Sequence, residues 1–207
     1  METVRRILLD LLSLILPPRP SEKILASHSD ALFRSKFSLT RLPDGVYVLS
    51  SYKDPLVGAL ISELKYRDNP RAAKMLGEAL REALIALTED SELTQVLLVP
   101  IPLFASRQKE RGFNQMERIL RHVLPLPNHT LSSALVKVRE TLPQTKLSRE
   151  ARLQNLRGAF SVREPLSGEF TYVIVDDVTT TGATLAEATR ALREAGARDI
   201  ISIALAH

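Results

Sequence analysis

Residues 171–196 read TYVIVDDVTTTGATLAEATRALREAG. An apolar, β-branched run stops at two adjacent aspartates, Asp176 and Asp177, and passes through a loop of threonine and glycine into a stretch of helical period. Leu185, Ala188, Leu192 and Ala195 fall on one face of that helix, with Glu187, Arg190, Arg193 and Glu194 outside. Gly196 stands where a helix closes with a left-handed residue. A buried strand of this kind delivers its carboxylates to the carboxyl edge of a sheet, where open α/β sheets bind ligands.

The loop VTTTGAT feeds a helix N-terminus, whose unpaired backbone N–H groups and partial positive charge suit an anion. Hydroxyls of Thr180, Thr181 and Thr184 add donors, and Gly182 lets the backbone wrap closely round a phosphate. The carboxylates just before it would repel that phosphate unless the same ligand carries hydroxyls or a metal. Aspartate oxygens accept hydrogen bonds from a sugar diol and coordinate Mg2+. A phosphate on a polyhydroxylated ring, such as ribose 5-phosphate, answers both halves of the stretch. Helix capping by Thr181 or Thr184 explains one threonine, but not two acids plus a glycine-bearing threonine loop. No Gly-Lys-Ser/Thr and no GxGxxG is present, so Walker A and dinucleotide loops are excluded.

Working outward, QVLLVP (95–100) is the short continuous apolar run of a strand buried on both faces, and it stops at Pro100-Ile101-Pro102. A basic loop, SRQKERGFNQ (106–115), a helix through MERILRHVL and a candidate strand, SALVKVR (133–139), follow. Then come the polar, partly helical ETLPQTKLSREARLQNLRG (140–158), the segment GAFSVR, the strand and helix above, and a last strand, DIISIALA (199–206). This alternation predicts an α/β chain with a mostly parallel sheet, helices on both faces and right-handed crossovers. Upstream, PLVGALISELKY and RAAKMLGEALREALIAL (71–87) carry the apolar faces of core helices, VYVLSSY (46–52) has strand composition, and residues 24–44 are polar and weakly periodic. ILLDLLSLIL (7–16) is too short for a bilayer and is interrupted by Asp10. It reads as an amphipathic helix covered by the body, by a partner or by a second copy in a homodimer, in a cytoplasmic protein without a membrane span.

Composition narrows the classes. The 207 residues are 44% hydrophobic, as in an ordinary globular protein, and 28 basic against 24 acidic residues give a net charge of +4. The absence of cysteine excludes disulfides and thiolate metal sites, and the four histidines have no ligand-like spacing.

VIVDDVTTTGAT resembles the phosphoribosyl pyrophosphate (PRPP) signature of type I phosphoribosyltransferases: hydrophobic residues, two acids, then a Thr/Gly loop. LISELKYRDNPRAAKMLGEAL (60–80), VPIPLFASRQKERGFNQ (99–115) and LVKVRETLPQTKLSREARLQNLRGAF (135–160) narrow the resemblance to the ComF family, the competence-associated phosphoribosyltransferase-like proteins. The resemblance implies a type I phosphoribosyltransferase fold over residues 45–207, after a helical N-terminal extension over 1–44. It also implies binding of PRPP, or another ribose 5-phosphate compound, with Mg2+, and transfer of ribose 5-phosphate to an acceptor with release of pyrophosphate. Asp176 and Asp177 would be the catalytic pair holding the ribose hydroxyls, with Mg2+ reaching them through the substrate. Thr179, Thr180, Thr181, Gly182, Ala183 and Thr184 would surround the 5-phosphate. Pro100 and Ile101 would begin a loop approaching the pyrophosphate, with Arg107 and Arg111 as charge partners. The 137–149 segment, with Lys137 and Arg139, would be the hood that closes over the substrate.

Family members usually begin with a leucine-rich helix and then a Pro-Pro-Arg-Cys opening into a four-cysteine zinc module. Here LPPRPSEK puts Pro20 at the expected first cysteine, so the module is absent or replaced by a metal-free remnant over 20–44, and no zinc is expected. The family also carries a second reading, a non-catalytic adaptor or sensor in DNA uptake or repair, acting through competence or repair proteins or a weak single-stranded DNA contact. Among the basic residues, Arg118, Arg121, Arg152 and Arg157 are assigned to solvated helix faces. Only Phe104 and Phe113 lie near the basic segments to stack on bases.

Overall fold

The structure, a computed structural model, describes residues 19–88, 95–141 and 149–207. The leucine-rich segment at 7–16 and the middle of the expected hood lie outside them. Along the chain, α1 (Pro20–Ser27) and α2 (Asp30–Arg34) precede a hairpin of β1 (Thr40–Arg41) and β2 (Tyr47–Val48). Then come α3 (Pro55–Arg67), α4 (Pro70–Thr88), β3 (Val96–Pro100), α5 (Ala105–Arg111), α6 (Gln115–Val123) and β4 (His129–Leu131). A second hairpin pairs β5 (Leu135–Lys137) with β6 (Phe160–Val162), with α7 (Arg149–Leu156) between them in sequence, and β7 (Thr171–Val178), α8 (Ala183–Glu194) and β8 (Asp199–Ala206) follow. No helix among the described residues is long and apolar enough to cross a membrane.

The main sheet runs β1-β2-β8-β7-β3-β4, parallel except for the β1–β2 pair. Its central strands carry continuous apolar stretches, Val96–Val99 in β3 and Tyr172–Val175 in β7, because both faces are covered there. The period of two along β7 sorts its side chains: Val173 and Val175 join one core with α3, α4 and α6, whereas Tyr172 and Ile174 join the other with α8 and the β5–β6 hairpin. From β3 the chain crosses to β4 on one side, and from β7 it crosses to β8 on the other. The carboxyl ends of β3 and β7 therefore flank a topological switch point, the usual ligand crevice of such a sheet.

Several local expectations change. The basic stretch 106–115 is not all loop: Arg, Gln, Lys and Glu are good helix formers, and residues 105–111 form α5, closed by Gly112 at φ 77°. SALVKVR does not enter the parallel sheet. Its central residues pair antiparallel with β6, Lys137 opposite Phe160, in a separate two-stranded sheet. Only Tyr47 and Val48 of the 46–52 run are in a strand, and β4, a three-residue strand after a proline-rich turn, has too little period to be legible.

The expected boundary between residues 44 and 45 falls inside the turn joining β1 to β2, both members of the main sheet. Leu25 and Phe33 are buried in the same core as α3 and α4. Arg71 of α4 binds the α1–α2 segment, at 2.6 Å to Asp30 and 2.8 Å to the His28 carbonyl, with its guanidinium 5.7 Å from the Phe33 ring centroid. Residues 20–44 thus share the core of the sheet, because their few apolar side chains have no other place to be buried.

Helices α4 and α6 approach closely at Gly77, where an added Cβ would lie 2.5 Å from the Cβ of His122 and 2.9 Å from the carbonyl of Ile119. Alanine gains about 1 kcal/mol of helix propensity over glycine. Forcing two packed helices apart costs about 1–3 kcal/mol, so Gly77→Ala is expected to lower stability in chemical denaturation and Gly77→Val to lower it further.

Candidate functional site

The alternation that sorts the β7 core residues also separates the two acids. Asp177 follows Val173 and Val175 toward the α3–α6 face, and both its oxygens are occupied. Lys65 Nζ lies 2.9 Å from Oδ1 and Gln115 Nε2 donates to Oδ2 at 2.8 Å. Asp176 follows Tyr172 and Ile174 toward the β5–β6 face, and its Oδ1 accepts the backbone N–H of Asp177 at 2.9 Å. Among the described residues no cation forms an ion pair with Asp176. Burial, then the adjacent Asp177 charge, pushes the Asp176 carboxyl up to about 7. Burial works against the Lys65 ammonium, but the Asp177 charge and hydrogen bond, with Asp176 behind them, raise it above the usual lysine value.

Local sequence sets these positions. Asp54 caps α3, accepting the Leu56 N–H at 2.8 Å, and Lys65 lies in the last turn, where the helix dipole favours a cation. In RGFNQ, Gly112 ends α5, and buried Asn114 caps α6 by accepting the Met116 N–H at 2.9 Å. Asn114 also donates to the Ile101 carbonyl at 3.1 Å, which ties the loop after β3 to α6. Gln115, next in line, reaches Asp177 with its amide nitrogen and accepts from Arg111 with its amide oxygen at 3.2 Å.

Facing the acids across a cavity of about 340 Å³ is a wall of cations. Arg107 and Arg111 lie four residues apart on one face of α5, Lys137 ends β5, and Arg152 of α7 donates to the Thr180 hydroxyl at 2.7 Å. Lys137 is pushed below the usual lysine value by burial and then by the Arg107 charge. Its Nζ donates to Thr141 at 2.9 Å and sits 5.7 Å from the Phe160 ring centroid.

Of the residues expected from the sequence, Ile101, Arg107, Arg111, Lys137, Asp176, Asp177, Thr180 and Thr184 line this cavity. Pro100 lies one step behind, paired with Val175 in the sheet, and the Ile101 N–H donates to the Val175 carbonyl at 3.0 Å. Thr179 builds the loop: its hydroxyl accepts the Gly182 N–H at 3.2 Å and its own N–H reaches the Ala206 carbonyl at 2.9 Å. Gly182 is required by its own backbone, at φ 71°, and by Asp44, whose Oδ2 would lie 2.8 Å from an added Cβ. Ala183 is buried in the core and Thr181 is half-buried beside the loop.

Arg139 does not face the cavity. It donates to the carbonyls of Asn155 and Arg157, at 2.7 and 2.8 Å, and ties β5 to the end of α7. From the same basic stretch it is Arg152, expected on a solvated face, that lines the cavity. Lys65 and Gln115 were also missed as site residues. Gln115 sat inside a quoted motif, whereas Lys65 carries no local signal, because it follows Leu64 at the edge of an apolar stripe. Arg118 is paired, 2.8 Å from Asp68 and 5.6 Å from the Phe113 ring centroid.

Among the described residues no group of three or more His, Asp or Glu is placed to hold a metal by itself. Asp176, a buried carboxyl group that lines the cavity and has no ion-pair partner among the described residues, is the kind of hard donor that would suit Mg2+. The remaining ligands would be phosphate oxygens and water.

A phosphoribosyl transferase domain model matches residues 118–207. The chain is 34% identical over 167 residues to competence protein F of Haemophilus influenzae, covering 76% of this chain and 70% of that protein. It is 35% identical to the DNA utilization protein YhgH of Salmonella typhimurium, covering 73% of this chain and 67% of that protein. With competence protein ComFC of Bacillus subtilis it shares 35% identity over 48% of this chain and 39% of that protein. The chain belongs to the ComF family and has the α/β phosphoribosyltransferase-like fold.

Proposed function

We propose that this ComF-family protein binds PRPP with Mg2+ in the cavity between β3 and β7, and transfers ribose 5-phosphate from it to an acceptor with release of pyrophosphate. The observation that carries this reading is the polarity of a single cavity: Asp176 and Asp177 on the β7 side, with Lys65 beside Asp177, and Arg107, Arg111, Lys137 and Arg152, outnumbering Glu140, from α5, β5 and α7. A ligand that is a diol at one end and a polyanion at the others satisfies both walls. Asp176 would accept from the ribose hydroxyls. The loop around Thr180 and Thr184, at the N-terminus of α8 with Arg152 beside it, would hold the 5-phosphate. Arg107, Arg111 and Lys137 would hold the pyrophosphate, and stabilise the electron pair it carries away as the C1–O bond breaks. Mg2+, when bound with the substrate, would spread that charge further. An acceptor nitrogen that is already nucleophilic would then close the new bond at C1 from the opposite face.

Calorimetry with PRPP and Mg2+ tests this directly, with one site per chain as the expected result. Absence of heat with PRPP, ribose 5-phosphate and nucleoside monophosphates alike would reject it.

The adaptor reading is favoured by a different feature. Tyr66 is 65% exposed, with the guanidinium of the cavity-lining Arg111 5.7 Å from its ring centroid, a platform on which an unpaired base could stack. The relatives named for competence and DNA utilization suit that reading. A salt-dependent shift of labelled single-stranded DNA, lost in Tyr66→Ala with Arg111→Gln, would support it, and no shift at low salt would remove it.

A further inference from the structure

The two acids of the loop motif are adjacent in sequence but held in different ways, and the difference comes from outside the motif. Asp177 meets a lysine from α3 and an amide from α6, so both of its oxygens have partners in the ligand-free protein. Asp176, which also lines the cavity, accepts a backbone N–H of its own strand and has no ion-pair partner among the described residues. A lysine 112 positions upstream belongs to no phosphate or sugar motif, yet it is the ion-pair partner of a residue inside one.

We infer that Lys65 is a positioning residue that acts through Asp177: with Gln115 it fixes that carboxylate and neutralises it, leaving Asp176 as the acid the ligand meets. This rests on the proposed binding of PRPP. The geometry supports it on three counts. The strand period sends neighbouring side chains to opposite faces, so one cation cannot serve both acids equally. Lys65 is set in the last turn of a capped helix, with its side chain only 21% exposed, and Asp177 is only 10% exposed. Gln115 is fixed in turn by the Asn114 cap and by Arg111, so the Asp177 carboxylate is clamped from two helices. Without the ammonium, two neighbouring buried carboxylates would repel each other across one peptide bond, and the second would compete for the ligand's hydroxyls and cation.

The test is a double-mutant cycle on the full chain, read in two ways. In calorimetry with PRPP and Mg2+, Lys65→Met is expected to weaken binding by roughly 10- to 100-fold, because it frees a buried charge beside the site. Asp177→Asn should cost about tenfold or less, since an amide can keep the Gln115 contact. Lys65→Met with Asp177→Asn should bind no more weakly than Lys65→Met alone, because a neutral amide no longer needs the ammonium. If Lys65 instead touches the pyrophosphate itself, its loss is undiminished in the Asp177→Asn background, and additive effects overturn the inference.

The second reading needs no ligand. In thermal melts of the same four proteins, Lys65→Met is destabilising and the double variant recovers most of that loss. Equal losses in both backgrounds overturn the pairing. If the wild type binds no PRPP while the melts show the coupling, the binding proposal fails and the Lys65–Asp177 pairing stands. If it binds and the affinity cycle is additive, the reverse holds.

Discussion

Asp176→Asn is expected to weaken PRPP binding by at least about 100-fold, through loss of charged hydrogen bonds to the ribose and of a buried carboxylate that would take Mg2+. It should do so without destabilising the ligand-free protein. Burial and the neighbouring Asp177 charge hold the Asp176 carboxyl at about 7, against an ordinary value of 3.8. Below pH 3.8 both folded and unfolded chains carry the proton, and the group contributes nothing to the pH dependence. Between 3.8 and 7 the unfolded chain releases the proton while the folded chain keeps it, so stability falls as pH rises. Above 7 the loss is complete and amounts to a few kcal/mol, roughly three pKa units at about 1.4 kcal/mol each. An amide does not titrate. Melting curves without metal should therefore run together for wild type and Asp176→Asn near pH 4, with the variant melting higher at pH 8. Coincident curves across the range would show that Asp176 is not held protonated, and retained affinity for PRPP would remove it from the binding site.

The second large effect concerns the opposite wall. Arg107→Gln is expected to weaken binding of PRPP and of free pyrophosphate by about tenfold each, and Arg107→Gln with Lys137→Met by roughly 100-fold, while ribose 5-phosphate binding is nearly unchanged. The mirror-image variant, Arg152→Met, should weaken ribose 5-phosphate and PRPP but spare pyrophosphate, because Arg152 stands on the Thr180 hydroxyl rather than on α5. In the ligand-free protein these cations oppose one another: after burial, the Arg107 charge is the main cause that lowers Lys137. Removing Arg107 should thus leave the melting temperature equal or slightly raised even as affinity falls. A polyanion is what relieves that repulsion, so affinity should also drop with salt, and less steeply in Arg107→Gln. If both variants weakened all three ligands alike, the division of the cavity into pyrophosphate and 5-phosphate ends would be wrong.

The core of the fold was legible because its signals are local and repeated. Continuous apolar runs at 96–100 and 172–175 and the largely apolar 199–206 alternate with helical stripes, and that pattern admits few arrangements besides a parallel sheet with helices on both faces. The errors lie where context overrides local pattern. SALVKVR has strand composition, but composition does not say which strand it pairs with, and it left the main sheet for β6. Residues 24–44 show little period because they contribute only a few side chains, Leu25 and Phe33 among them, to a core assembled by other elements. At the site, Arg139 and Arg152 were exchanged for the same reason. Both lie in one polar, basic stretch, and only the placement of α7 against α8 decides that Arg152 reaches Thr180 while Arg139 holds two carbonyls.

What the sequence determined by itself is therefore what neighbours along the chain can determine: a strand ending in Asp176 and Asp177, a threonine loop at a helix N-terminus, and a second strand ending at Pro100-Ile101. These carry the expectation of where a ligand would bind and, on the proposed reading, of one that is both diol and phosphate. Only the tertiary structure decided how the acids differ. The period of two along β7 turns them to opposite faces, and the residues waiting there come from distant parts of the chain: Lys65 and Gln115 for Asp177, an open cavity for Asp176. A carboxylate's charge and its freedom to take a ligand depend on what lies within a few ångströms in space, which no local pattern of residues encodes.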